Sequence, residues 1–146
     1  MGICPMCKKH KIKGDPNLIY ENESLVVSHG PLESQILGYI YIEPKRHVEN
    51  WYELSDLEMN EMGKILRIIS RVLKEELNAD RVYTVTISEV IRHLHIHIIP
   101  RISGKELKGV SLIEKATKSM KSEKNITSQE INEFIEILKN KCNENI

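Results

Sequence analysis

Between residues 93 and 98 histidine alternates with aliphatic residues: His93-Leu94-His95-Ile96-His97-Ile98. The two regular backbones treat this run differently. On a strand, successive side chains point to opposite faces, so all three imidazoles line one side while the aliphatic residues pack the other. On a helix, His93 and His97 share a face and His95 points away. The β-branched neighbours and the nearby Pro100 favour the strand. The chain is therefore expected to build a sheet with an apolar face that needs cover and a face of imidazoles whose ring nitrogens need partners. Catalysis and metal binding are the two uses that such a face suits.

The rest of the chain can supply the cover. Leu18 to Val27 reads as two short strands around a turn at Asn22-Glu23. Ile36 to Ile42 reads as a strand that stops at Glu43-Pro44, because proline cannot continue a ladder. Ser55-Asp56-Leu57-Glu58 is a capping box, and Met62, Ile65, Ile68, Ile69, Val72 and Leu73 follow on one helical face. Asn78 and Asp80 end that helix. Arg81 to Ile87 alternates as a half-buried strand, and the histidine strand closes at Pro100. Thr127 to Glu130 is a second capping box, ahead of a stripe of Ile131, Phe134, Ile135 and Leu138. Residues 1 to 13 are expected to be irregular, and the Lys-rich stretch 102 to 126 a partly helical connection. Strands, a long helix, strands and a final helix predict an α+β fold on an antiparallel sheet.

The 146 residues suit one domain: 1–101 forming the sheet and site, 102–146 an extension packed on it. Lys plus Arg and Asp plus Glu both number 21, so there is no basic excess to drive binding to nucleic acid or an anionic membrane. Small anionic ligands stay possible at a locally basic site. No apolar run approaches the roughly 20 residues of a membrane helix, and Met1 to Cys7 holds no signal-peptide core. A cytoplasmic setting is expected. Cys4 and Cys7 form Cys-x-x-Cys, which in a reducing compartment suggests metal or redox chemistry rather than a disulfide. His10 and His29 are expected at the surface, and Cys142 carries no expected role.

His93 to Ile99 resembles the signature of the histidine-triad (HIT) family, in which three histidines alternate with apolar residues, and Pro100-Arg101 resembles what often follows. Ile42-Glu43-Pro44-Lys45-Arg46-His47 resembles a strand end of the same family, and Cys4-Pro5-Met6-Cys7 the metal-binding start of one of its branches. The resemblance covers residues 4 to 101. It implies a HIT-like fold and a nucleotide substrate, with His95 attacking the α-phosphorus to form a covalent nucleotidyl-histidine that water then hydrolyses. The chemistry suits the residue: neutral imidazole is abundant at pH 7, and one ring nitrogen can attack while the other holds a hydrogen bond. His97 would hydrogen-bond a phosphate oxygen or help protonate the leaving group, and His93 would complete the catalytic set. The family's transferase branch has glutamine at the third position. His97 therefore points to a hydrolase of nucleoside phosphoramidates or dinucleoside polyphosphates. Zinc-bearing relatives hold a structural ion at the positions of Cys4, Cys7, His47 and His93, residue types that zinc prefers. Such an ion would pin the N-terminus and orient His93. The resemblance also implies a homodimer joined at a sheet edge or through the long helix.

The chain departs from the family pattern in two places. Members carry a Gly-rich loop and Gly-Gln-Ser/Thr before the triad, whereas here Thr86 to Arg92 runs almost directly into His93, with Glu89 where glutamine is expected. Ser88 is the substitute donor for substrate, and alternation turns Arg92 away from the histidines. The acidic or amide residue that holds the ribose falls at Pro31, leaving Glu33 or His29 to compensate. These departures keep an alternative open: a HIT-fold nucleotide-binding or scaffold protein with structural zinc and little turnover. A purely structural zinc protein would leave His95 and His97 unexplained.

Overall fold

The computed structural model describes residues 4–118 and 124–145. It opens with a short helix, α1 (Pro5–Lys11), where the sequence predicts an irregular segment. Pro5 stands in the first turn, where a missing N–H leaves nothing unsatisfied, and the Cys4 sulfur caps the end by accepting from the Cys7 N–H at 3.4 Å. Cysteine is not among the usual capping residues, so the sequence carries no ordinary start signal here.

The hairpin of β1 (Leu18–Glu21) and β2 (Leu25–His29) turns where expected. The Asn22 side-chain oxygen accepts from the Ser24 and Leu25 N–H groups, each at 2.8 Å. β3 (Ile40–Pro44) begins four residues later than the sequence suggests. Gln35 (φ 55°) and Gly38 (φ 84°) both take left-handed backbone, which no strand contains. It also runs on to Pro44, which pairs opposite Leu25 at the strand's last position, where proline is tolerated.

The long helix α2 (Asp56–Leu77) starts on the expected box: Ser55 Oγ accepts from Glu58 N–H at 3.1 Å, and Glu58 accepts from Ser55 N–H at 2.8 Å. All six residues of its predicted stripe are buried. Each such side chain contributes about 1.5–3 kcal/mol by leaving water. Asn78 closes the helix in left-handed backbone. β4 (Ala79–Val85) and β5 (Ile96–Ile102) follow. β5 starts at Ile96 rather than His93 and passes through Pro100. β3 pairs with β5 only as far as Ile98, so Pro100 interrupts no ladder on that side. α3 (Val110–Thr117) supplies helix to the Lys-rich connection, whose residues 119–123 lie outside the described ones. α4 (Ser128–Glu144) starts on the predicted Thr127–Glu130 box.

The sheet order is β1-β2-β3-β5-β4, with every neighbouring pair antiparallel. α2 and α4 cover one face, and the core between them includes Ile40, Ile42, Ile96, Ile98, Ile69 and Phe134. Alternation along β3 and the residue before it sends Tyr39, Tyr41 and Glu43 to the other face. There α3 covers Tyr39 and Ile99 with Leu112 and Ala116. No described helix is long and apolar enough to cross a membrane.

Gly38 makes the turn into β3 possible. A Cβ there would lie 2.7 Å from Leu77 Cδ1 and 2.8 Å from Leu73 Cδ2, besides the strain of its positive φ. Gly38→Ala is expected to cost about 2–3 kcal/mol, read as a lower urea midpoint at unchanged slope.

His29 is buried rather than at the surface, because it locks the same turn. Its Nδ1–H donates to Gly30 O at 2.8 Å, and its Nε2 accepts from Gly38 N–H at 2.9 Å. Burial pushes its pKa below the ordinary 6.5. A histidine whose folded pKa is depressed adds stability in full above 6.5 and loses it as pH falls through the lower folded value. Unfolding free energy is thus expected to drop as pH goes from 6.5 toward 5. His29→Gln, which keeps a donor and an acceptor without a titrating ring, should flatten part of that slope. A slope identical in the variant would exclude His29 as its source.

Candidate active site and metal centre

The three histidines do not share one side as a continuous strand would require. His93, at a bend, and His95 lie in irregular chain before β5, and only His97 stands in the strand, directly opposite Tyr41 of β3. What holds the earlier part is the segment after β3. Leu94 N–H donates to Val48 O at 2.7 Å, and His93 Nε2–H donates to Pro44 O at 2.7 Å. His93 is 0% exposed and turns toward the end of β3, whereas His95 and His97 line one cavity with ring centroids 4.8 Å apart.

His95 Nδ1 is 2.7 Å from the His93 carbonyl. A carbonyl only accepts, so Nδ1 carries the proton and Nε2 keeps its lone pair. Ser88, in left-handed backbone at φ 54°, places its Oγ 3.4 Å from the same Nδ1. His97 is 9% exposed, and its Nδ1 lies 2.6 Å from the Tyr39 hydroxyl. Burial, helped by the neighbouring His95, lowers the His97 pKa to about 4, so that ring is neutral at pH 7.

The other side of His93 meets the N-terminus. Cys4 Sγ, Cys7 Sγ, His47 Nδ1 and His93 Nδ1 all lie within 4.8 Å of one another. Both sulfurs are 3.5 Å from His93 Nδ1, Cys7 Sγ is 3.5 Å from His47 Nδ1, and the two nitrogens are 3.3 Å apart. A tetrahedral zinc with Zn–S of about 2.3 Å and Zn–N of about 2.0–2.1 Å sets S···N edges near ~3.6 Å and an N···N edge near ~3.3 Å. The four residues therefore fit zinc in type, number and spacing. His93 is prepared for the role, since its bond to Pro44 leaves the lone pair on Nδ1, and burial holds its pKa below the ordinary value.

Between the two centres lies a cavity of about 300 Å³, lined by His95, His97, Tyr41, Glu43, Ile91 and α1 residues including Lys9. Glu43 is buried and accepts from His10 Nε2 at 2.7 Å and Lys9 Nζ at 3.3 Å. Burial alone would raise its pKa, but the His10 bond and the Lys9 charge outweigh that and hold it below the ordinary range. His10 is consequently tucked against Glu43 and His93 rather than at the surface. Neither Glu33 nor His29, the two candidates to replace a ribose ligand, lines this cavity. Arg92 is engaged elsewhere, with Nε 2.6 Å from Glu49. Tyr39, Tyr41, Glu43 and Lys9 are the neighbours that a reading of motifs misses. The signal for three of them is present: Tyr39, Tyr41 and Glu43 alternate with Ile40 and Ile42, the same period that marks the histidines.

Comparison with known proteins agrees with this architecture. A zinc-bound histidine triad family protein from Mycobacterium smegmatis superposes with TM-score 0.67 at 18% identity, covering 97% of this chain and 94% of that one. A hypothetical histidine triad nucleotide-binding protein from Sulfolobus tokodaii gives 0.66 at 22% identity, covering 97% and 93%. In sequence, a galactose-1-phosphate uridylyltransferase from Thermotoga maritima is 23% identical over 124 residues, 78% of this chain but only 39% of the enzyme's length. An uncharacterized HIT-like protein of Methanocaldococcus jannaschii is 28% identical over 107 residues, 70% of this chain and 81% of that protein. The family model of the HIT domain matches residues 13–104, which contain β1 to β5, α2 and all three histidines of the run, and the chain belongs to the HIT family.

Proposed function

We propose that the chain hydrolyses nucleoside phosphoramidates or dinucleoside polyphosphates through a covalent nucleotidyl-histidine on His95. The observation that carries this reading is the 2.7 Å bond from His95 Nδ1 to the His93 carbonyl, which leaves the Nε2 lone pair free beside a cavity shared with His97. In the first step Nε2 bonds to the α-phosphorus, and the bond to the leaving oxygen or nitrogen breaks with its electron pair going to that atom, a leaving nitrogen taking up a proton from solvent so that it departs as the neutral amine. In the second, water attacks the phosphorus, the P–Nε2 bond breaks, the imidazole returns to neutral and a water proton passes to solvent. Splitting one displacement into two lowers each barrier. His97 supplies a hydrogen-bond donor to phosphate oxygen, and Ser88 is the nearest hydroxyl that a bound substrate could recruit. A histidine rather than glutamine at position 97 supports water over a second substrate as acceptor. The named uridylyltransferase among the relatives supports nucleotidyl chemistry in the broader sense.

Zinc on Cys4, Cys7, His47 and His93 would have all four positions filled by protein, which is structural rather than catalytic coordination. Its part is to hold α1, and with it Lys9, against the cavity. We also propose a cytoplasmic homodimer that covers an open sheet edge; sedimentation velocity tests the dimer.

The test is incubation of the zinc-loaded protein with adenosine and guanosine phosphoramidates and dinucleoside polyphosphates. The expected result is nucleoside monophosphate release, with an acid-quenched nucleotidyl adduct that mass spectrometry places on His95. Folded, metal-loaded protein that releases nothing from the whole panel would leave the nucleotide-binding or scaffold reading in its place.

A further inference from the structure

We infer that Tyr39 is a positioning residue for this site: its hydroxyl donates to His97 Nδ1 and fixes His97 as a neutral imidazole that presents Nε2–H to the cavity in front of His95. The contact is short, 2.6 Å, and buried, with Tyr39 0% and His97 9% exposed. A hydroxyl can donate or accept, so the direction has to be argued. If His97 Nδ1–H were the donor, the phenol proton would need a second acceptor. The Tyr41 hydroxyl is the alternative acceptor and does interact with Tyr39, but the contact to His97 is short, and an imidazole nitrogen is a stronger acceptor than a phenol oxygen, which favours Tyr39 as the donor to His97. Burial also raises the Tyr39 pKa far beyond the ordinary range, so the phenol keeps its proton to give.

Tyr39 has nowhere else to go. A Cβ on Gly30 would stand 2.6 Å from Tyr39 Cδ2, so the ring lies flat on the β2 end, and it needs glycine there. Tyr41 packs edge-on at 4.9 Å, and His97 lies nearly parallel at 5.9 Å and 20°. The site then carries two adjacent imidazoles in opposite tautomers. The His93 carbonyl sets one, with its lone pair outward on His95. The Tyr39 hydroxyl sets the other, with its N–H outward on His97. A nucleophile needs the first form, and a donor to phosphate oxygen needs the second. Without the phenol both His97 tautomers would be open, and the wrong one would aim a lone pair at the phosphate.

The catalytic part of this inference rests on the proposed function, but the tautomer itself does not. Long-range ¹H–¹⁵N correlation spectra of the zinc-loaded protein near pH 7 are expected to show His97 with Nδ1 bare and Nε2 protonated, and His95 the reverse. Tyr39→Phe, which keeps the ring, is expected to convert His97 into a mixture and lower kcat about 10-fold at nearly unchanged KM. Adenosine monophosphate serves as a probe that needs no turnover, and it should shift the His97 Nε2–H signal in the native protein and not in the variant. A native His97 protonated on Nδ1 would overturn the inference whatever the activity. So would the expected tautomer combined with an unchanged kcat in Tyr39→Phe or, in a protein without turnover, with no shift on adding the probe. Failure of substrate release alone would count against the function and leave the tautomer result standing.

Discussion

His95→Ala is expected to lower nucleotide release by about 1,000-fold or more while leaving the fold and the metal content intact. The size follows from what is lost. The covalent path disappears entirely, and what remains is direct attack of water on a substrate that the cavity still holds. The small structural effect follows from the contacts. His95 is half-buried, and its strongest protein bond is the one it donates to the His93 carbonyl. Losing it costs about 1 kcal/mol, because water can reach the freed carbonyl. A melting temperature close to native, beside a lost burst of covalent adduct, is the signature of a missing nucleophile. Retention of more than about a tenth of the native rate would move the nucleophile to another group and remove the main support for a nucleotidyl-histidine.

Parts of this picture are legible in the residues because they rest on local rules. α2 announces itself through Ser55, Glu58 and six apolar residues at helical spacing, and α4 does so in the same way. The alternation from His93 to Ile98 points to a sheet with two unlike faces, and Ile96 and Ile98 do enter the core while His97 faces away from it. The same rule misplaces the start of β5, because the ties of His93 to Pro44 and of Leu94 to Val48 are made across the fold. The metal set is harder still. Cys7 and His47 are 40 positions apart, and His47 and His93 are 46 apart. No spacing rule joins them, and only the likeness to a family does. His10 and His29 are read as surface residues because single histidines carry no pattern. Each is held by partners that no pattern announces, Glu43 for the first and the Gly30 and Gly38 backbone of the turn for the second. Tyr39 acts on His97 through the register of β3 on β5 and the bare backbone of Gly30, and neither can be seen until the strands are paired.

Removing the metal-binding set by Cys4→Ser with Cys7→Ser is expected to abolish zinc retention, release α1 and lower Tm by about 6–12 °C, with the sheet and α2 still folded. In the native arrangement four of the six distances among these ligand atoms are 3.3 to 3.5 Å, close to the edges of a zinc tetrahedron. Loss of the ion removes the strongest hold on α1, which otherwise rests on buried Met6 and on the bonds of His10 and Lys9 to Glu43. The core of β1 to β5, α2 and α4 does not use the cysteines of the N-terminus, so the chain should not behave like a zinc finger that unfolds without metal. A loss of about 3 kcal/mol corresponds to the stated shift in a chain of this size. Function should suffer as well, because α1 carries Lys9 and lines the cavity in front of His95. Metal analysis, calorimetry and hydrogen exchange over residues 5–11 read the three effects separately. Should the double variant keep native exchange in α1 and a native Tm, the helix would be held by the contacts of His10 and Lys9 to Glu43 and Ser28, and the metal would have no structural part. Should it unfold outright, the ion would be holding the join of His47 to His93, and through it the segment that presents His95.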